Sequence, residues 1–367
     1  MTIGHFVAPR RGIVIALIVI AAVAAASDFF LRTSPSRVVV RYGITPYQDS
    51  ALPVVAEMKG WYREQGIEVQ LVPLAWGDIV TALSSGAIDA AIYNFNSFLP
   101  PYQNAAQGTA KPLFYAPLYI FKGQAIMVHP QSGFQITNPS AATNTPLDSA
   151  EIIRRASDLK GKRIGVTKGT ELEQIVLAAL AKAGLSASDA QIIYAAPEDS
   201  LAAFLAGNLD AFAAGLTERI EARRHGAIEL LTQADVMMPV TDGLVTTDVF
   251  ASKNQAALDK LVTSWFRTIQ YIQEDVPKNS AEIRDYLRTS ASTRYTPEEY
   301  AIAWTFDDFP TTPKAANEVF NNKDSKFYWK SSWDYVAKFL IDQKQITQVP
   351  PYNAYAGEDT LKRLSSP

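Results

Sequence analysis

The apolar and polar positions of this chain switch repeatedly between a period of two and a period near 3.6. The β-branched run Val38–Gly43 predicts a strand, followed by the loop Ile44-Thr45-Pro46-Tyr47-Gln48. A helical pattern then runs from about Asp49 to Gln65, a strand over Glu68–Pro73, a helix over Trp76–Ser85 and a strand over Ala90–Tyr93. The same grammar returns downstream. A strand ends at Lys168-Gly169-Thr170, a helix spans Glu171–Ala183 and closes at Gly184, and a strand covers Ala190–Tyr194. A short helix Asp199–Ala206 ends at Gly207, a strand runs through Leu209–Ala214, and a helix Thr217–His225 ends at Gly226. Such close alternation predicts an α/β protein with mainly parallel sheets flanked by helices.

The two halves share a step. Ala82–Ala91 and Ala203–Phe212 both contain A-x-x-x-G-x-x-D-A, with an apolar residue just before the Asp. Gly86 and Gly207 are expected just past a helix end, where a left-handed backbone suits glycine. Asp89 and Asp210 would open the following strands. Between the steps, Leu159–Glu171 gives a basic, Gly-punctuated turn, a β-branched run, a Gly loop and a helix start. Thr170 is the expected N-cap, beside backbone N–H groups that favour anions and polar ligand ends.

Further motifs complete an ordered set. The helix Met58-Lys59-Gly60-Trp61-Tyr62-Arg63-Glu64-Gln65-Gly66-Ile67-Glu68-Val69 precedes the first step, and the strand L-K-G-K-R-I-G-V, from Leu159, precedes the second. From Val38 to Val276 this order resembles the periplasmic substrate-binding proteins of ABC importers, of the nitrate/sulfonate/taurine type, which includes binders of the pyrimidine precursor of thiamine. The resemblance implies a two-lobed periplasmic-binding-protein type II fold with extra C-terminal helices. It implies an extracytoplasmic, monomeric, non-enzymatic protein that captures a small solute between its lobes by hinge closure. Its partners would be a permease in the inner membrane and a cytoplasmic ATPase. A periplasmic sensor feeding a signalling receptor is the second reading. An enzyme on the same fold is the third and weakest, because an export signal is out of place there and no Cys or His cluster is present.

The domain plan follows the strand order. Residues 1–36 hold a signal peptide and linker, 37–123 with 242–345 form the first lobe, 124–241 the second, and 346–367 a tail. Phe121–Val128 is the outgoing hinge and Asp242–Thr247 the return hinge. Gln131–Asp148 is a polar insertion. Leu258, Leu261, Trp265, Ile269 and Ile272 place one apolar stripe on a helix Asn254–Glu274. Helices near Ser280–Ala291, Thr296–Thr305 and Ser332–Asp342 would pack against the first lobe, and Val349–Pro367 is expected to be poorly fixed. At the N-terminus Arg10-Arg11 precede the apolar run Gly12–Ala26, 15 residues long, which ends in small residues. That is a signal-peptide pattern with cleavage near Ala26, giving a periplasmic mature chain. An uncleaved inner-membrane anchor is the alternative, since Phe29-Phe30-Leu31 could extend the run.

Composition narrows the chemistry. The 367 residues are 48% apolar and 19% charged, which suits two cored domains. A net charge of −3 gives no electrostatic case for nucleic acid. The absence of cysteine excludes disulfides, zinc–thiolate sites and a Cys nucleophile. His5, His129 and His225 lack metal-site spacing, so no metal, cofactor or catalytic residue is called for.

In α/β sheets, ligands sit beyond the carboxyl ends of the strands. The candidate ligand residues are therefore Thr45, Tyr47 and Gln48, then Trp76, then Tyr93, Asn94 and Asn96 in the first lobe. Thr170, Glu171, Thr217 and Glu218 face them from the second, with Asp242 at the return hinge. Each has a plainer reading. Thr170, Thr217 and Asn96 are ordinary caps, Trp76 is a lid and Tyr93 is core. In the family the resemblance points to, hydroxyls and helix N-termini hold an anion, and Thr45, Asn96 and Thr170 stand at matching loops. Glu171 and Glu218 depart from that pattern. They suit an amine or a heteroaromatic N–H, and so a planar or zwitterionic nitrogen compound more than a sulfonate-like anion or nitrate.

Overall fold

Two sheets organise the described residues of the computed structural model: 37–105, 110–130, 133–134, 136, 147–237, 239–290 and 293–366. The expected signal peptide and linker, residues 1–36, and most of the Gln131–Asp148 insertion lie outside them. The chain divides into units Met1–Val38 and Val39–Pro367, and the first contributes only Arg37 and Val38 to the described residues.

The strands in chain order are β1 (Val38–Ile44), β2 (Ile67–Pro73), β3 (Ala90–Asn94), β4 (Pro112–Phe121), β5 (Ala125–Val128), β6 (Arg163–Val166), β7 (Gln191–Tyr194), β8 (Ala211–Ala214), β9 (Ile228–Thr232), β10 (Val240–Thr247) and β11 (Asp307–Asp308). The first sheet has the order β11-β4-β10-β3-β1-β2, and the second β7-β6-β8-β5-β9. β1 pairs with β3, and β6 with β7 and β8, all in parallel. β10 runs antiparallel between β3 and β4, and β5 antiparallel between β8 and β9. Each sheet therefore has a parallel βα part and an antiparallel part made by the strands next to the crossings between sheets.

The repeated step explains much of this order. Gly86 (φ 73°) and Gly207 (φ 75°) end helices Ile79–Ser85 and Pro197–Leu205 in the left-handed region. Asp89 then accepts from Arg41 N at 2.8 Å and from Arg41 Nη2 at 2.6 Å. Asp210 does the same with Arg163 N (2.8 Å) and Nη2 (2.8 Å). In each lobe the Asp that opens one strand clamps the Arg on its parallel neighbour. Both arginines are more than a third exposed, so the charge term is worth about 1 kcal/mol at most. The two-point geometry sets register more than stability.

The cores are separate. Val40, Tyr42, Ile44, Ile67 and Ile92 pack with the predicted stripe Leu258, Leu261, Trp265, Ile269 and Ile272, all buried, so the long helix covers the first sheet. Burying each such side chain contributes about 1.5–3 kcal/mol. Ile126, Ile164, Val166, Ile175 and Val176 form the centre of the second sheet's core.

Several expected elements differ. The helix expected over Asp49–Gln65 is two helices, Pro53–Met58 and Trp61–Glu64, because Gly60 takes φ 76° between them. The long helix begins at Asp248, with a kink at Asn254 (φ −131°). The tail is fixed: Gly357–Ser365 is a helix, Leu361 is fully buried, and Tyr355 bridges to Phe114 of β4 while stacking on Trp329 at 4.1 Å. Gly243, read as part of a return hinge, lies inside β10 and is paired on both sides. A Cβ there would fall 2.2 Å from the Ala116 carbonyl oxygen, so glycine answers a close backbone approach. The chain crosses between sheets at Lys122–Gln124 and before Val240.

Candidate functional site

A cavity of about 700 Å³ opens where the carboxyl ends of β1, β3, β6 and β8 face one another. Its walls include Tyr47, Gln48, Trp76, Tyr93, Asn94, Thr170, Glu171, Thr217, Glu218 and Asp242, ten of the twelve residues expected from the sequence.

The first sheet supplies an aromatic wall. Tyr47 meets Trp76 edge-on at 5.9 Å, and Trp76 lies 4.8 Å from Tyr93. The indole N–H of Trp76 donates to Ser97 Oγ at 3.0 Å, which fixes the ring. Trp76 and Tyr47 are half-buried and leave surface for a ligand. Tyr93 is 4% exposed and serves mainly as core beneath them. Asn94 closes β3 and caps the next helix, its Oδ1 accepting from Ser97 N at 2.9 Å. Its Nδ2 donates across the cleft to Glu171 Oε2 at 3.0 Å.

Thr45 and Asn96 do not reach the cavity. Thr45 is buried with its hydroxyl on Ser50 Oγ at 2.5 Å. Asn96 is fully buried and its amide donates to Gln174 Oε1. The cap at that helix is Asn94, so Asn96 is free to join the lobes instead. Thr217 does not cap its helix either. Gly215 takes that position, and the Thr217 hydroxyl pairs with Tyr295 Oη at 3.0 Å.

Thr170 is the N-cap, accepting from Leu172 N at 3.2 Å. Its single hydroxyl proton goes to Thr167 O at 2.7 Å, so Thr170 has no donor left for an anion. Glu173 Oε2 accepts from Gly169 N at 2.8 Å and fills the same helix start. Glu218 sits at the start of helix Leu216–Arg224 with Oε2 beside Gly215. The helix starts after β6 and β8 each already carry a carboxylate of this chain, Glu173 and Glu218.

The electrostatics follow from burial. Asp49, Glu171, Glu198, Glu218 and Asp242 line the cavity, and among the described lining residues only Lys168 is basic. Lys168 is exposed and stands over the Tyr194 ring. Burial pushes Glu218 up to about 7, with Glu198 adding to the rise. Burial likewise raises Asp49 and Glu171. Asp242 is held well above the usual carboxylate range, by burial first and then by Asp49 and Glu171. Asp307, on β11 beyond β4, is raised by burial and by Asp49 and Asp242. Asp242 lies opposite Asn94 on β3 and opposite Tyr119 on β4, next to a register shift at Gly243 that re-aims the strand. The Oδ2 of Asp242 and the Oε2 of Glu218 are buried without a hydrogen-bond partner.

Asp49, Glu198, Gln345 and Phe121 also line the cavity and were not anticipated. Asp49 and Glu198 follow directly on strand-end loops and could have been found by extending each loop a few residues. Gln345 comes from the far C-terminal part, where no local signal exists. It donates to Glu173 Oε2 at 2.9 Å.

Two α/β lobes with a cavity at facing strand ends define the periplasmic-binding-protein architecture. Residues 34–287 match the model of the NMT1-like family, and the chain belongs to that family. A putative binding protein of Brucella abortus is 26% identical over 231 residues, which are 61% of this chain and 63% of the relative. The chain thus aligns with less than two thirds of that relative's length. The periplasmic aliphatic sulphonate binding protein of Escherichia coli superposes with a TM-score of 0.62 at 17% identity, covering 90% of this chain and 93% of that one. The alkanesulfonate-binding protein of Xanthomonas axonopodis pv. citri, solved bound to MOPS, gives a TM-score of 0.62 at 19% identity, covering 88% and 99%. In fold, the chain is similar to these sulfonate-binding proteins.

Proposed function

We propose that this protein is the extracytoplasmic solute-binding component of an ABC importer, taking a small organic solute into the cavity between its two sheets. The observation that carries this is the cavity itself. Side chains at the carboxyl ends of strands from both sheets converge on it: Tyr47, Trp76 and Asn94 from one, and Thr170, Glu171 and Glu218 from the other. A ligand touching both walls would gain contacts that neither lobe offers alone, which favours closure about the two crossings. The mature chain would act in the periplasm, as a monomer, delivering solute to an inner-membrane permease with its ATPase.

A nitrogen-bearing organic solute is favoured over nitrate or a sulfonate. Thr45, Asn96 and Thr170, the three side chains expected to hold an anion, spend their donors inside the protein. Two carboxylates occupy the helix starts instead.

The test is small-angle scattering on protein stripped by denaturation and refolding, before and after adding back the solute released from freshly purified protein. The expected result is a smaller radius at saturation. An unchanged radius counts against closure, and no released solute counts against the binding role.

A further inference from the structure

We infer that the solute is an organic cation with two nitrogen-bearing ends, one seated against Asp242 and Asp49 and the other against Glu218. This rests on the reading of the cavity as a solute site, and it adds the charge and the shape of what enters.

The first support is the imbalance of charge. Among the described lining residues, three buried acids (Asp49, Glu218 and Asp242), the half-buried Glu171 and the exposed Glu198 stand against one lysine, itself exposed over a tyrosine ring. Acids enclosed in this way need either protons or a cation to compensate them. The second is the pair of unmatched acceptors. Asp242 is 3% exposed and Glu218 is 6% exposed, and each keeps one carboxylate oxygen with no partner. Glu171 accepts from Asn94 and Asp49 from Ser50 N at 2.7 Å, and Glu198 is exposed to solvent; the backbone at Gly215 serves Glu218 and the Tyr119 hydroxyl serves Asp242, which leaves the one oxygen of each unmatched. An N–H donor on the solute would satisfy each remaining oxygen.

The third support is that the two acceptors stand on different walls of the cavity, Asp242 on a strand of the first sheet and Glu218 on a helix that follows a strand of the second. Asp242 sits on β10 of the first sheet, where the charges acting on it are those of Asp49 and Glu171, with Tyr119 beside it. Asp49 and Asp242 in turn act on Asp307 from the other side of β4, and Lys122 offsets them in part. Glu218 sits on a helix following β8 of the second sheet, and Glu198 is the charge acting on it. The Tyr295 hydroxyl, hydrogen-bonded to Thr217, faces the fields of Glu218 and Asp49, offset in part by Arg224. Tyr47 lines the same cavity, and Glu218, Glu198, Glu171 and Asp49 all act on it. Its ring and that of Trp76 offer an apolar flank for the body of the solute, and their faces attract cations.

Binding is then linked to pH. As the pH falls, these raised carboxyls take up protons that a bound cation must displace. A diamine stays doubly charged from pH 6 to 8, so lower pH weakens binding through the protein alone. Glu218, at about 7, gives about a tenfold loss on going from pH 8 to pH 6.

The experiment is calorimetric titration of the refolded protein at pH 8 with 1,3-diaminopropane through 1,6-diaminohexane and p-xylylenediamine. Controls are the matched monoamines, taurine and butane-1-sulfonate. One diamine is expected to bind at least tenfold more tightly than its monoamine, and at least tenfold more weakly at pH 6. Asp242→Asn and Glu218→Gln should each weaken it at least tenfold in protein that melts normally. The monoamine comparison and the pH profile use the wild-type chain, so they decide the matter even if a variant fails to fold. Failure of every diamine to bind, or diamine affinity unmoved by both substitutions and by pH, overturns the inference. Binding of the sulfonate alone overturns it while leaving the solute-binding reading in place.

Discussion

Asn94 donates through Nδ2 to Glu171 Oε2 at 3.0 Å, tying the end of β3 to the first helical turn after β6. The same residue caps its own helix through Oδ1, so one side chain both terminates a strand and joins the lobes. Asn94→Asp keeps the cap acceptor but turns the donor into a second carboxylate facing Glu171. The solute-free variant is expected to have a larger radius of gyration than the wild type at pH 8, with the difference shrinking at pH 5 as the acids take up protons. Scattering at the two pH values checks it, and equal radii at pH 8 would show that this bond does not hold the cleft.

Glu218 carries a stability cost that depends on pH. Its folded value is about 7 against an ordinary 4.5, so the unfolded chain releases this proton first. The cost is absent below about pH 4.5, grows between 4.5 and 7 and is complete above 7, where it reaches about 3 kcal/mol. Glu218→Gln should therefore melt higher than the wild type at pH 8 and close to it at pH 4.5. A variant less stable than the wild type at pH 8 would mean that the carboxylate is compensated within the protein.

Arg219 is 1% exposed in its side chain and lies at the outgoing crossing. It donates to Glu229 Oε1 at 2.7 Å and to Gly123 O at 3.0 Å, and it stacks over the Phe306 ring at 4.6 Å. Arg219→Leu leaves Glu229 with Arg223 alone and the Gly123 carbonyl without this donor. The expected loss is about 3 kcal/mol of unfolding free energy, measured by urea titration.

Gly243→Ala tests the close approach of β10 to β4. The added methyl would fall 2.2 Å from Ala116 O, a backbone atom that cannot swing aside. A loss of about 1–3 kcal/mol is expected, with weaker solute binding because Asp242 shifts with the strand. Wild-type stability would show that the strand relaxes freely there.

The alternating α/β order was legible because Gly86 and Gly207 each end a helix and Asp89 and Asp210 each open a strand, all local signals. Their arginine partners, Arg41 and Arg163, lie 48 and 47 residues away in the chain, where pattern reading has no reach. The break at Gly60 went unseen because Trp61 and Tyr62 continue an apolar helical pattern across it. The tail helix was hidden by its Pro and Ser content, although Tyr355 and Leu361 are core residues. In the site, strand-end loops located Tyr47, Trp76, Glu171 and Glu218. Thr45 and Asn96 have the right types at the right places, yet they turn inward to Ser50 and Gln174. Side-chain direction at a strand end depends on tertiary partners, and Gln345 enters only through the folding of the C-terminal helices.

The central claim is that the walls of this cavity hold a solute. Native mass spectra of freshly purified wild type and of the double variant Tyr47→Ala, Trp76→Ala test it most directly, with melting curves showing that both are folded. Removing the two rings should cost about 1–3 kcal/mol each in binding, enough to empty the site during purification. The account predicts a discrete small-molecule adduct on the wild type that is absent from the double variant. The same adduct at the same occupancy on both proteins would contradict it.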